Sequence, residues 1–99
     1  MKRDFQPAVY ILASKRNGTI YVGVTSNLIQ RAWQHREGAI AGFTKRHGCK
    51  LLVWLELHST IEHAIAREKQ LKGGSRKKKL ALIETDNPQW RDLVPEICA

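Results

Sequence analysis

Cysteine is scarce in this chain: Cys49 and Cys98 are the only two in 99 residues, far apart and outside any CxxC pair. That excludes a disulfide framework and a cysteine-built zinc site, and both read as free thiols in a reducing compartment. Long apolar runs are missing too. The longest near the start, Pro7 to Ala13, is shorter than a membrane span and lacks the organisation of a signal peptide. Nothing in it directs export or membrane insertion, and the expected location is cytoplasmic. Acidic residues are outnumbered, nine Asp and Glu against seventeen Lys and Arg, for a formal charge of +8. Internal repeats, linkers and low-complexity tracts are absent.

What is present is enough to fold. A hydrophobic content of 42% with three Trp excludes a disordered chain, and 99 residues suit one compact domain with a modest core. Residues 1–99 are therefore expected to form a single domain, its core spanning about 7–93. A folded, strongly basic domain calls for an acidic partner. Nucleic acid is the commonest, because each neutralised phosphate releases counterions. On charge alone an anionic membrane, an acidic protein and mere solubility stay open.

Two segments rich in β-formers, Ala8-Val9-Tyr10-Ile11-Leu12-Ala13 and Thr19-Ile20-Tyr21-Val22-Gly23-Val24, flank the turn signal Asn17-Gly18 and predict a β-hairpin. Side chains alternate faces along a strand, so an even-numbered loop puts Tyr10 and Tyr21 on the same face. Asn27 with Gln30 resembles a capping box that opens a helix over Leu28 to Glu37, ending near Gly38. Arg31 and His35 lie one turn apart on it, on the stripe shared with Leu28 and Ala32. Gly42 to Gly48 predicts a short helical or turn element carrying Lys45, Arg46 and His47, and Leu51 to Leu57 a third strand.

Ser59 with Glu62 predicts a second capped helix, running through Leu71 and ended by Gly73-Gly74. Its apolar stripe is Ile61, Ala64, Ile65 and Leu71. The helical period leads from Ala64 and Ile65 to position 68, where a glutamate stands in place of a hydrophobe. A carboxylate facing inward needs a reason. Ser75 opens a further helix to Glu84, whose first turn carries Arg76, Lys77, Lys78 and Lys79, the wrong sign for the helix dipole. Such cations are expected to answer to something outside the helix. Asn87-Pro88 reads as the cap and first position of a last short helix in which Trp90 and Leu93 pack back on the domain.

The ordered set resembles the GIY-YIG nuclease family. Ala8-Val9-Tyr10 and Tyr21-Val22-Gly23 stand as the two name-giving motifs, ten residues apart. Thr25-Ser26-Asn27-Leu28 leading to Arg31 and His35, Gly42-Phe43-Thr44, Arg67-Glu68-Lys69-Gln70-Leu71-Lys72-Gly73 and Asn87-Pro88-Gln89-Trp90 are similar to the small bacterial single-domain members. Each tripeptide is weak alone; the ordered set is fairly specific. The resemblance implies an α/β fold, a small three-stranded antiparallel sheet flanked by helices with the hairpin central to it. It also implies a metal-dependent endonuclease acting on DNA phosphodiester bonds, structure-selective or weakly sequence-specific.

Phosphodiester hydrolysis needs an activated water, charge neutralisation on the phosphoryl oxygens and stabilisation of the leaving oxygen. By resemblance, Glu68 binds a single divalent cation, Mg²⁺ being expected and Mn²⁺ the alternative. Tyr21, and after it Tyr10, is the candidate acceptor of the water's proton. Arg31 contacts the scissile phosphate with its planar fork, and His35 relays a proton or holds the phosphate. Gly23 and Asn87 are candidate site support.

Blander roles stand beside these: packing at a sheet surface for the tyrosines, an ion pair with a neighbouring Arg or Lys for Glu68, a surface position for Arg31, a structural hydrogen bond for His35 and a cap for Asn87. Val24 stands where some excision-repair relatives carry a lysine beside the active-site tyrosine; if proton transfer needs that lysine, the resemblance implies either that His35 substitutes for it or that activity is low. Lys45, Arg46, His47 and Arg76 to Lys79 are the expected nucleic-acid contacts, against the alternative of a solvated face. His58 and His63 lack an HExxH or cysteine partner and are not expected to bind metal. The expected partner is DNA, single-stranded, nicked or branched, with RNA still open, no membrane, and a protein partner as one possible source of specificity. Two other functions compete: a binding module that holds nucleic acid on the same scaffold without efficient cleavage, and an interaction protein whose cations meet an acidic protein.

Overall fold

The protein's structure, a computed structural model, describes residues 6–36 and 48–97. Within them the order is β1 (Ala8–Ala13), β2 (Ile20–Thr25), α1 (Leu28–Arg36), β3 (Leu51–Leu57), α2 (Ile61–Lys72), α3 (Arg76–Asp86) and α4 (Val94–Ile97). The strands form one antiparallel sheet in the order β2-β1-β3. The strand β1 alone is central, and β2, the other half of the hairpin, lies at the edge.

All six residues of β1 are buried, which matches its apolar sequence and its position between two hydrogen-bonded neighbours. Alternation along β1 divides the core. Val9, Ile11 and Ala13 pack with Ala64 and Leu71 of α2, Ile83 of α3, and Trp54 and Trp90. Tyr10 and Leu12 pack on the other face with Cys49, Leu52 and Val94 of α4. The pairing of β1 with β3 shifts between Ile11 and Leu12, since Ile11 faces Trp54 and Leu12 faces Leu52, so Val53 is an extra residue on β3.

The hairpin loop spans residues 14–19, an even number, and pairs Ala13 with Ile20. Asn17 takes a positive φ of 61° there, a conformation asparagine tolerates. Helix starts follow local capping chemistry. Asn27 accepts the Gln30 amide at 3.0 Å, and Ser75 accepts that of Lys78 at 3.2 Å. The cap of α2 is Thr60, which accepts the His63 amide at 3.2 Å, one residue after the expected Ser59. Both are hydroxyl residues, and the chain starts its helix at the later one.

The last helix also differs from expectation. Asn87 ends α3, its amide bonded to the Ile83 carbonyl at 2.7 Å. Its side chain accepts from the Arg91 amide at 3.1 Å and donates to the Arg91 carbonyl at 2.9 Å. A turn results in place of a helix, with Trp90 at φ 55°. The terminal helix α4 starts only at Val94, where Asp92 accepts the Val94 amide at 3.1 Å while also accepting that of Leu52 at 3.2 Å. Ile65 departs from its expected stripe, being 37% exposed. Among the described residues no helix is long and apolar enough to cross a membrane. The expected element at Gly42 to Gly48, with Lys45, Arg46 and His47, falls largely outside the described residues, as do the end of the first helix beyond Arg36 and Cys98.

Candidate active site

Strand alternation brings the phenols to one face. Tyr10 pairs with Gly23 and Tyr21 with Leu12, so Tyr10, Leu12, Tyr21 and Gly23 all project to the same side of the sheet. Tyr10 is 2% exposed, and its ring covers the position where a side chain on Gly23 would stand. The glycine of the second motif therefore makes room for the tyrosine of the first. Tyr21, on the edge strand, is only partly buried.

The helix α1 supplies the guanidinium. Its start is fixed by the buried Thr25, whose hydroxyl accepts the Asn27 amide at 3.0 Å and donates to the Asn27 carbonyl at 3.1 Å. Asn27 then caps the helix, and one turn on Arg31 hydrogen-bonds to Tyr10. His35 follows a further turn along α1; its side chain lies outside the described residues.

The carboxylate comes from α2. Glu68 has a side chain only 12% exposed, as the helical period requires of a position beside Ala64 and Leu71. Its Oε2 stands 2.6 Å from Nζ of Lys72, one turn later on the same helix. That ammonium also lies 5.7 Å from the centre of the Tyr21 ring, within the range of a cation–π contact. Arg67, the neighbouring alternative partner, is committed elsewhere, donating to Glu56 at 2.9 Å and Gln70 at 2.7 Å, with Glu56 also 3.0 Å from His58.

These groups share one electrostatic neighbourhood. Burial pushes the Tyr10 phenol up from 10.0 to about 12. The charge of Arg31 and its hydrogen bond oppose that rise, and electrostatic interaction with Tyr21 and Glu68 adds to it. Lys72 is likewise held above its usual value, chiefly by its hydrogen bond to Glu68. Side chains from β1, β2, α1 and α2 therefore meet: Tyr10, Tyr21, Arg31 and Glu68, joined by Lys72. Reading the sequence overlooked Lys72 as a site residue. The available signal was its i,i+4 spacing from a glutamate already read as inward. Val24 packs against the α2-side core, and the ammonium beside Tyr21 comes from Lys72.

Among the described residues, Asn87 and Arg76 have partners of their own. Asn87 is buried, and its side-chain amide donates to the carbonyls of Val53 at 3.0 Å and Arg91 at 2.9 Å, so backbone groups absorb it. Arg76 donates to the hairpin carbonyls of Asn17 at 3.1 Å and Gly18 at 2.6 Å, so one cation of the basic run answers to the hairpin turn. Lys77 and Lys78 are exposed. Lys78 and Lys79 line a cavity of about 240 Å³ between α2 and α3, with Arg67 and Gly74 also in its wall. This cavity shares no lining residue with the cluster around Tyr10.

A carboxylate, a guanidinium and two phenols from separate segments can bind a phosphate, hold a hard cation and move a proton. Similarity to known proteins places the chain among a family. The GIY-YIG catalytic domain matches residues 6–81. A UPF0213 protein of Staphylococcus haemolyticus is 38% identical over 76 residues, covering 77% of this chain and 92% of its own. A UPF0213 protein of Clostridium perfringens is 34% identical over 89 residues, covering 90% and 95%. Among solved structures, the solution NMR structure of a UPF0213 protein from Bacillus halodurans matches with a TM-score of 0.56 and 29% identity, over 88% of this chain and 92% of that one.

Proposed function

The chain belongs to the GIY-YIG catalytic-domain family, and on that premise we propose that it is a single-domain endonuclease hydrolysing DNA phosphodiester bonds with one divalent cation. The observation that carries the reading is the meeting of Tyr10, Tyr21, Arg31 and Glu68 around one buried phenol. Binding phosphate needs only the cations, and the added inward carboxylate and paired phenols suit a reaction.

Tyr10 stays protonated at neutral pH, because its phenol is pushed up to about 12. It is assigned the task of orienting Arg31. Tyr21, nearer solvent, is assigned the acceptance of the attacking water's proton. Arg31 holds two phosphoryl oxygens with its planar fork, which a lysine does not reproduce. His35, one turn on, is assigned a proton relay or a second hold on the phosphate.

Glu68 would hold the cation. Its donor chemistry fits: one hard carboxylate oxygen pair, largely shielded, with no group of three or more His, Cys, Asp or Glu beside it among the described residues. A set with a single protein ligand suits an ion that keeps water and takes phosphate oxygens, which describes Mg²⁺, with Mn²⁺ as the substitute. When bound, such an ion supplies Lewis-acid stabilisation of the leaving oxygen.

The substrate we assign is single-stranded, nicked or branched DNA, because the groups assigned to binding are cations that contact the phosphate backbone, which carries no base sequence. RNA is the alternative substrate, and a protein partner the alternative source of specificity. Contacts to the backbone are assigned to Lys77, Lys78 and Lys79, with Lys45, Arg46 and His47; the cytoplasm is the assigned location. One observation favours a second reading, a binding module without efficient turnover: the Glu68 carboxylate is already bonded to Lys72. Incubation with the three DNA forms, in Mg²⁺ or in EDTA, separates the two. Cutting that needs Mg²⁺ supports the endonuclease, and tight binding with no cutting in either buffer supports the module.

A further inference from the structure

Resting on the assignment of Glu68 to a divalent cation, we propose that Lys72 is a positioning residue, a tethered counter-ion that holds the Glu68 carboxylate and competes with the divalent cation for it. Four observations carry this. The contact is short, Nζ to Oε2 2.6 Å. The two partners differ in exposure, 12% for the Glu68 side chain and 50% for Lys72, so the ammonium is the member that water can receive when the pair opens. Both residues sit on α2 at i,i+4, so the released ammonium stays near. The Tyr21 ring, 5.7 Å from Nζ, offers it a second attractive contact.

The physical reason for such a device is the cost of an inward carboxylate. An unpaired charge shielded from water is strongly destabilising, and Lys72 neutralises it. Arg67 does not serve, because Glu56 and Gln70 hold it. The same neutralisation works against divalent-cation binding. The Glu68 oxygen must give up a charge-assisted hydrogen bond, and the ammonium, still tethered, repels a second positive charge. Lys72 therefore keeps the carboxylate folded inward at the expense of its affinity for the cation.

The test measures Mn²⁺ binding by electron paramagnetic resonance of the free ion, on the full chain. Lys72→Met keeps the aliphatic stem and removes the charge; Lys72→Gln is the second variant, polar at a half-exposed position. Both are expected to bind Mn²⁺ about tenfold more tightly than the native chain, the equivalent of one charge-assisted hydrogen bond. Lys72→Arg, which keeps a cation, is expected to stay near the native affinity, and Glu68→Gln to lose binding. If Glu68→Gln loses Mn²⁺ while both neutral Lys72 variants bind it no more tightly than native, the counter-ion proposal is overturned and the assignment of Glu68 stands. If Glu68→Gln binds Mn²⁺ like the native chain, the assignment itself fails and the proposal with it.

Discussion

Tyr10 and Gly23 face one another across β1 and β2, and the phenol of Tyr10 occupies the space that any side chain at position 23 would need: an ideal Cβ there would lie 2.5 Å from both Cζ and Oη. Since Tyr10 is 2% exposed, its ring has little room to give. Gly23→Ala is expected to cost about 1–3 kcal/mol of stability, as overpacking of a core does. It should also shift Tyr10 away from Arg31 and lower cleavage by more than the stability loss explains. Chemical denaturation and cleavage rates on the same preparation check this; a variant with native stability and native rate would mean that the ring moves freely.

The raised Tyr10 phenol predicts a pH dependence with a definite sign. Unfolded, the group ionises near its ordinary 10.0; folded, it holds its proton to about 12. Its contribution to stability is therefore complete below pH 10 and is lost as the pH climbs from 10 towards 12, a difference of roughly 3 kcal/mol at full ionisation. Urea midpoints measured from about pH 8 to pH 11 should fall in the native chain and fall less steeply in Tyr10→Phe. Parallel curves for the two would remove Tyr10 as the cause.

The basic first turn of α3 divides into two kinds of cation. Arg76→Ala removes the bonds to the carbonyls of Asn17 and Gly18 and should lower the melting temperature by a few degrees, about 1 kcal/mol. Lys77→Ala with Lys78→Ala should leave the melting temperature alone, weaken DNA binding evenly across sequences and flatten its salt dependence. Filter-binding titrations at several salt concentrations read this out. An unaltered salt slope would return the lysines to a solvated face.

Asn87→Ala strands the carbonyls of Val53 and Arg91 and the amide of Arg91. A loss of about 2–4 kcal/mol is expected, with DNA affinity of the folded fraction unchanged. Specific loss of cleavage at native stability would instead put Asn87 among the reacting groups.

The alternating strands and even loop made the shared face of Tyr10 and Tyr21 legible in the sequence, because a period of two leaves no other arrangement. The inward turn of Glu68 was legible for a similar reason, since it breaks an apolar stripe. Other features depend on tertiary geometry. Lys72 reads as an ordinary i,i+4 partner until the edge strand sets Tyr21 beside it. Arg76 finds carbonyls in a turn nearly sixty residues earlier in the chain, at Asn17 and Gly18, which local dipole reasoning cannot reach. The caps show a finer limit: Ser59 and Thr60 are both competent, and it is Thr60 that accepts the His63 amide. At Asn87, the side chain's bonds to Arg91 outweighed the helix start suggested by Asn-Pro.

The most direct test of the nuclease account is the single-turnover cleavage rate of Glu68→Gln on nicked or branched DNA in Mg²⁺, with DNA affinity measured on the same protein. A rate at least about a hundredfold below native, at near-native DNA affinity, is the predicted result. Cleavage at the native rate by Glu68→Gln would contradict the account, because the reaction would then be proceeding without the carboxylate on which the site is built.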